Sequence, residues 1–212
     1  MWPLGVLKKK GDANILLDLP FTTDMLDKSS YNTPLRIAGS SGGTPAIIDG
    51  ALFMPASGGT SAFATGTVDG EAQAHLDLKN KKYTIEFEFK NGTALTQAGV
   101  FKMSKNIGSS GGGGVGSPSY DRISVNNSSN TGIMSYVFGY DAFTQFVKVK
   151  IKRIAATLYE LYVDDVLVTT TTNTSNVMFS TIDDRAQGVV FQTTFGRPFY
   201  IKNFKITSNG IL

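Results

Sequence analysis

Two carboxylates stand two residues apart in Tyr83-Thr84-Ile85-Glu86-Phe87-Glu88-Phe89, and their spacing could do chemistry. Apolar and polar residues alternate strictly here, so a strand would carry Glu86 and Glu88 on one face and Ile85, Phe87 and Phe89 on the other. Hydrolysis of a glycosidic bond needs one carboxyl group as acid and a second as nucleophile or base, about 5 to 9.5 Å apart. Residues two apart on a strand can meet that spacing. The next residue on the same face is Lys90, however, and no cleft-forming aromatic run adjoins the pair, so a polar, solvated sheet face is the plainer reading.

The remaining chemistry is narrowed by what the chain holds. With 0 cysteines and 1 histidine, His75, it has no disulfide framework, no thiolate zinc site, no cysteine nucleophile and no site built on two histidines. The glycine run within 108–119, GSSGGGGVGSPS, lacks the Lys-Ser or Lys-Thr that closes a phosphate cradle, and no helical segment follows it, so it reads as a flexible loop. Tyr136-Val137-Phe138-Gly139-Tyr140-Asp141-Ala142-Phe143 is dense in aromatics at a strand end and loop. Sugar-binding sandwiches stack such rings on pyranose faces, which makes Tyr136, Phe138, Tyr140 and Phe143 the candidate ligand-binding residues, against the alternative that about half of them fill the core. A formal net charge of +3 and a pI near 9.0 raise the question of nucleic acid, but the basic residues are dispersed or alternate along a strand, and no nucleic-acid motif accompanies them.

These residues need a sheet to hold them. In Val147-Lys148-Val149-Lys150-Ile151-Lys152 the two-residue period puts three lysines in solvent. Tyr159, Leu161 and Val163 repeat that period, and Val166 to Thr172 follow a two-residue turn at Asp164-Asp165. Further strands are expected at 14–19, 35–37, 47–53, 74–78, 83–89, 99–103, 121–125, 132–138, 188–191 and 198–206, with a turn at Asp49-Gly50. A hydrophobic share of 41% and a charged share of 17% suit one packed all-β domain of 212 residues. Residues 1–13 lack strand periodicity and read as an arm: Trp2 and Leu4 at its tip are candidate docking residues, and Lys8-Lys9-Lys10-Gly11 forms a hinge to a single domain over 14–212. The order of charge and apolar residues at the start is the reverse of a signal peptide's, and no run approaches 18 apolar residues, so no membrane span is expected.

Four segments carry a family resemblance. LYVDDVLV (161–168) resembles the "LYVDG-x-LV" hairpin of the laminin-G-like, concanavalin A-like jelly-roll domains. IIDGALF (47–53), YTIEFEF (83–89) and FYIKNFKI (199–206) resemble that group's "DG-x-AL-x-F", "FTIEFW" and closing "GYIDDFRI" segments, the last with Lys202-Asn203 in place of an acidic pair. The resemblance implies an all-β, two-sheet antiparallel jelly-roll sandwich in which the first and last strands pair. Jelly-roll glucanases carry E-x-D-x-E, from which Glu86-Phe87-Glu88-Phe89-Lys90 departs at the middle and third positions.

Members of that group are mostly non-catalytic binders, and many are modules of phage tail, fibre and head-surface proteins. The resemblance therefore implies a non-enzymatic structural or adhesion module of a phage particle, found in the virion after assembly in the host cytoplasm. Its expected partners are other virion proteins and a cell-surface glycan, with a homo-oligomer left open. The alternative is a free-standing carbohydrate-binding module, and a glycoside hydrolase stands third. Some relatives bind calcium between loops, but Asp164-Asp165 and Asp183-Asp184 are adjacent acids of the kind that make turns, so neither a metal nor a cofactor is expected.

Overall fold

A computed structural model of the protein describes residues 14–38, 43–56, 61–92, 98–107, 113–119, 121–127, 132–139, 142, 144–172, 186–193 and 197–212. The described residues form β1 (Ile15–Leu19), β2 (Leu35–Ala38), β3 (Ala46–Ile48), β4 (Ala51–Met54), β5 (Ser61–Thr65), β6 (Lys81–Asn91), β7 (Ala98–Met103), β8 (Gly114–Ser119), β9 (Arg122–Asn126), β10 (Gly132–Val137), β11 (Val147–Arg153), β12 (Leu158–Val163), β13 (Val166–Thr172), β14 (Val189–Thr193) and β15 (Phe199–Ile211). One sheet runs β13-β12-β11-β6-β15-β4-β3 with β1 also on β15, and the other runs β10-β9-β8-β7-β14-β5-β2. Both are antiparallel and pack face to face, as the jelly-roll reading expects. The arm with Trp2 and Leu4 lies outside the described residues, as does Asp183-Asp184.

The alternation seen in the sequence decides which side chains go inward. Ile85, Phe87 and Phe89 of β6, Val147, Val149 and Ile151 of β11, and Ile201, Phe204 and Ile206 of β15 are all buried. Their rings meet those of the second sheet edge to face: Phe87 and Phe101 at 5.3 Å, Phe101 and Phe204 at 4.9 Å, Phe191 and Phe204 at 4.9 Å. Such burial of apolar area is the dominant force holding the two sheets together.

Turn chemistry sets the registers. Asp164 and Asp165 have φ of 48° and 65°, the double positive φ of a type I′ turn, and this turn pairs β12 with β13 as expected. Asp49 and Gly50 (φ 51° and 71°) do the same between β3 and β4. In β15 the register shifts between Lys202 and Lys205, and Asn203 takes φ 52°. This bulge advances the alternation by one residue, so Phe204 and Ile206 continue the inner face begun by Phe199 and Ile201. At the same place β15 exchanges β4 for β1 as its neighbour, with the Asn203 N–H donating to the Pro20 carbonyl at 3.1 Å.

Two expectations are corrected. Residues 74–78 are not a strand: Ala74–Leu76 is a turn of 3-10 helix, closed by the Leu76 N–H on the Gln73 carbonyl (2.8 Å) and the Asp77 N–H on the Ala74 carbonyl (3.2 Å). Leu76 and Leu78 still enter the core, and that requirement produced the alternating pattern. The glycine-rich stretch is not a loop throughout, because Gly114–Ser119 is a strand between β7 and β9. Its glycines suit a close approach: a Cβ on Gly114 would collide with the Phe101 carbonyl oxygen and lie 2.9 Å from the Lys102 Cα.

Candidate functional site

The outer face of the eight-stranded sheet collects the charged and aromatic residues that the alternation turns outward. Register arranges them in rows across the strands. One row runs Asp18, Lys205, Glu86, Lys150, Tyr162, Leu167, and the next runs Lys202, Glu88, Lys148. Opposite charges face each other at nearly every step: Lys150 Nζ lies 3.0 Å from Glu86, Lys202 Nζ 3.3 Å from Glu88, and Lys205 Nζ 3.5 Å from Asp18. Asp165, in the turn beyond, receives Lys148 at 2.7 Å and Lys150 at 3.5 Å. The Lys148 hydrogen bond, foremost, holds the Asp165 carboxyl below its usual range, and the Glu86 hydrogen bond raises the Lys150 ammonium. Pairs this exposed neutralise charge and fix register more than they stabilise the fold.

Both candidate catalytic carboxylates are therefore engaged. Glu86 faces Lys150, and Glu88 holds Lys202 and accepts a hydrogen bond from the Asn203 side-chain amide at 2.7 Å.

The row at the end of the face is different. It runs Ala46, Phe53, Tyr200, Lys90, and then Phe146, immediately before β11. The Phe53 and Tyr200 rings lie 4.9 Å apart, tilted by 39°. Lys90 Nζ sits 4.9 Å from the Tyr200 ring centre and 5.5 Å from that of Phe146, and Lys202 Nζ is 4.2 Å from Phe146. All five side chains are half-buried. Half-buried rings with an ammonium among them form a platform for an amphipathic ligand.

The expected aromatic site is placed as follows. Phe138, 4% exposed, is a core residue packed on Phe89 at 6.1 Å, so its ring cannot stack on a ligand, which corrects the expectation. Tyr136 stands opposite the buried Ile123 on the inner face of the edge strand β10, half-buried against Phe138. Tyr140 and Phe143 lie outside the described residues, although Ala142 between them accepts a hydrogen bond from the Asn91 N–H at 3.0 Å, next to Lys90. The reading did not include Phe53, Lys90, Phe146 and Tyr200. An aromatic at an outward position of an alternating strand was a usable signal for Phe53 and Tyr200. Their adjacency followed only from the strand order.

Two other polar places bear on function. A shallow hollow of about 250 Å³ at β8, β9 and β10 is lined by Pro118, Arg122, Ser124, Gly132, Ile133, Met134 and Ser135, without an aromatic ring. His75 stacks on Tyr31 (4.2 Å, 9°) and shares a hydrogen bond with Thr33 Oγ1 at 2.9 Å, while Asp27 accepts from the N–H groups of Asp18, Ser29 and Thr33. This cluster pins the 20–34 loop to the 3-10 turn. Among the described residues no group of three or more His, Asp and Glu side chains is placed to hold a metal.

Burial, above all, lowers the His75 imidazole from its ordinary value, Asp27 opposes this, and Lys81 adds to it. The unfolded chain thus binds this proton more tightly than the folded one. The stabilisation is complete above about pH 6.5, declines as pH falls below it, and is gone once pH passes the lower folded value. His75→Gln should flatten the slope of stability against pH between about 7 and 5, read from urea midpoints; an unchanged slope would place its origin elsewhere.

No family model and no curated protein matches the sequence. Solved structures match over nearly the whole chain. The binding domain of botulinum neurotoxin DC in complex with rat synaptotagmin II aligns at a TM-score of 0.66 and 14% identity, over 95% of this chain and 49% of that one. The same binding domain in complex with SialylT aligns at 0.64 and 15%, over 95% and 49%. A structure for botulinum neurotoxin type C, whose cell entry is dependent upon interaction with two ganglioside molecules, aligns at 0.66 and 14%, over 95% and 49%. The chain spans about half the length of these structures. At such identity the likeness establishes the β-sandwich fold.

Proposed function

We propose that this chain is a non-enzymatic recognition module that binds a glycan on the Phe53, Tyr200, Lys90, Phe146 row, and that it serves as a structural or adhesion component of a phage particle, in tail, fibre or capsid surface. The carrying observation is the contrast on one sheet face: the carboxylates Glu86 and Glu88 are committed to lysines, while the aromatic residues beside them are half-buried and gather around the Lys90 ammonium. The similar structures are binding domains whose partners include synaptotagmin II, SialylT and gangliosides, which supports recognition over catalysis. The virion setting, with assembly in the host cytoplasm and other virion proteins as partners, rests on the laminin-G-like segments.

A glycan array followed by titration tests the site. Tyr200→Ala should weaken binding of a captured glycan by about 1–3 kcal/mol, the range for one stacked aromatic face, with little change in folding. A glycan bound equally well by the variant would remove the platform. Mass spectrometry of purified particles tests the setting: the chain should be present at a fixed stoichiometry, and its absence from particles would favour the free-standing module.

A further inference from the structure

We propose that the ligand of this platform is an acidic saccharide whose carboxylate is received by Lys90. The inference rests on the glycan-binding reading above and adds the chemical class.

It starts from the cross-strand neighbours. Lys148, Lys150, Lys202 and Lys205 each face a carboxylate across the sheet or in the adjoining turn. Lys90 faces Tyr200 on one side and Phe146 on the other, and among the described residues no carboxylate lies within ion-pair distance of it. Lys152, at the opposite end of the face, is bracketed differently, with Glu160 across the strand and the Tyr162 ring 4.6 Å away. Lys90 is thus an ammonium set between two aromatic rings with no carboxylate beside it among the described residues.

A cation held against ring faces gives up part of its water, so an arriving anion meets a donor already oriented and partly desolvated. The local balance limits how much charge can be matched. Among the described residues Lys90 and Lys202 contribute two positive charges and Glu88 one negative, leaving a single positive charge, which suits a monoanion better than a polyphosphate. The rings on either side set the rest of the ligand. Tyr200 and Phe146 stand on strands two apart, about 9 to 10 Å, so a pyranose can lie on one ring while its carboxylate reaches the lysine between them. A carboxylated sugar joins an apolar face to one negative group at that separation, and uronic and sialic acids share this chemistry.

The experiment uses the full chain and two probes, hexagalacturonate and sialyllactose, each beside its carboxyl-reduced form, with binding followed by calorimetry at low and high salt. At least one acidic probe should bind, its reduced form should bind about 10- to 100-fold more weakly, and Lys90→Met should cause the same loss, as expected for one charge-assisted hydrogen bond. The two probes separate a uronate from a sialate source. Lys152→Met serves as the control for general charge and should leave affinity unchanged. Far-UV circular dichroism should show every variant folded. Equal affinity for acidic and reduced forms, or an equal loss in Lys152→Met, would overturn the inference while leaving a glycan platform in place. Failure of every glycan, acidic or neutral, to bind the folded chain would overturn both.

Discussion

Phe204→Ala should cost about 3–5 kcal/mol of folding stability, which for a domain stable by about 5–15 kcal/mol brings the protein near its unfolding threshold. Phe204 is fully buried, and its ring makes edge-to-face contacts with Phe101 and Phe191 at 4.9 Å and a tilted contact with Phe87 at 6.2 Å. Truncation removes the ring from the junction of both sheets, and the surrounding rings, fixed on three strands, can close only part of the cavity. Phe204→Leu keeps most of the volume and should cost distinctly less. Urea unfolding measures both. A Phe204→Ala loss below about 1 kcal/mol would mean that the site collapses freely, contrary to the packing seen here.

How Phe204 comes to be inside shows what the sequence made legible. In Phe199-Tyr200-Ile201-Lys202-Asn203-Phe204-Lys205-Ile206 the two halves alternate, but two consecutive polar residues break the phase between them. Asn tolerates positive φ, so this pair marks a bulge on physical grounds, and the bulge is what the chain forms. The type I′ turn at Asp164-Asp165 and the inward set of β6 and β11 were readable for the same reason, because period and turn chemistry are local. Lys148 and Lys150 on Asp165 were not, since those ion pairs depend on β11 and β12 lying side by side with β13 outermost.

The candidate site failed to show for a related reason. Density of aromatics along the chain pointed to Tyr136 through Phe143, but Phe138 obeys the core and not the surface. Phe53, Lys90, Phe146 and Tyr200 are scattered over some 150 residues of sequence, and only the order β4-β15-β6-β11 makes them a row. A binding face on a sheet is a property of strand order, and strand order in an antiparallel sandwich is carried by long-range pairing that no local window contains.

Gly114→Ala separates the strand found here from the loop that composition suggests, because the two predict opposite signs. In a flexible glycine-rich loop, alanine reduces the freedom of the unfolded chain and should stabilise by about 0.4–1 kcal/mol. In β8 the added Cβ would run into the Phe101 carbonyl oxygen and crowd Lys102, whose Cα and Cβ would lie 2.9 and 3.0 Å away. Backbone cannot rotate aside as the end of a long side chain can, so β7 and β8 would have to separate. A steric insertion of this kind costs about 1–3 kcal/mol and occasionally more. Gly139→Ala is the matched control: an added Cβ there meets nothing within 4 Å, so stability should rise by about 0.4–1 kcal/mol, the gain expected of an unhindered alanine. Denaturant midpoints for the two variants decide the matter. A Gly114→Ala protein as stable as the parent would mean that β8 is not packed against β7 as described, and the seven-stranded sheet would then lose the strand that joins β9 and β10 to the rest.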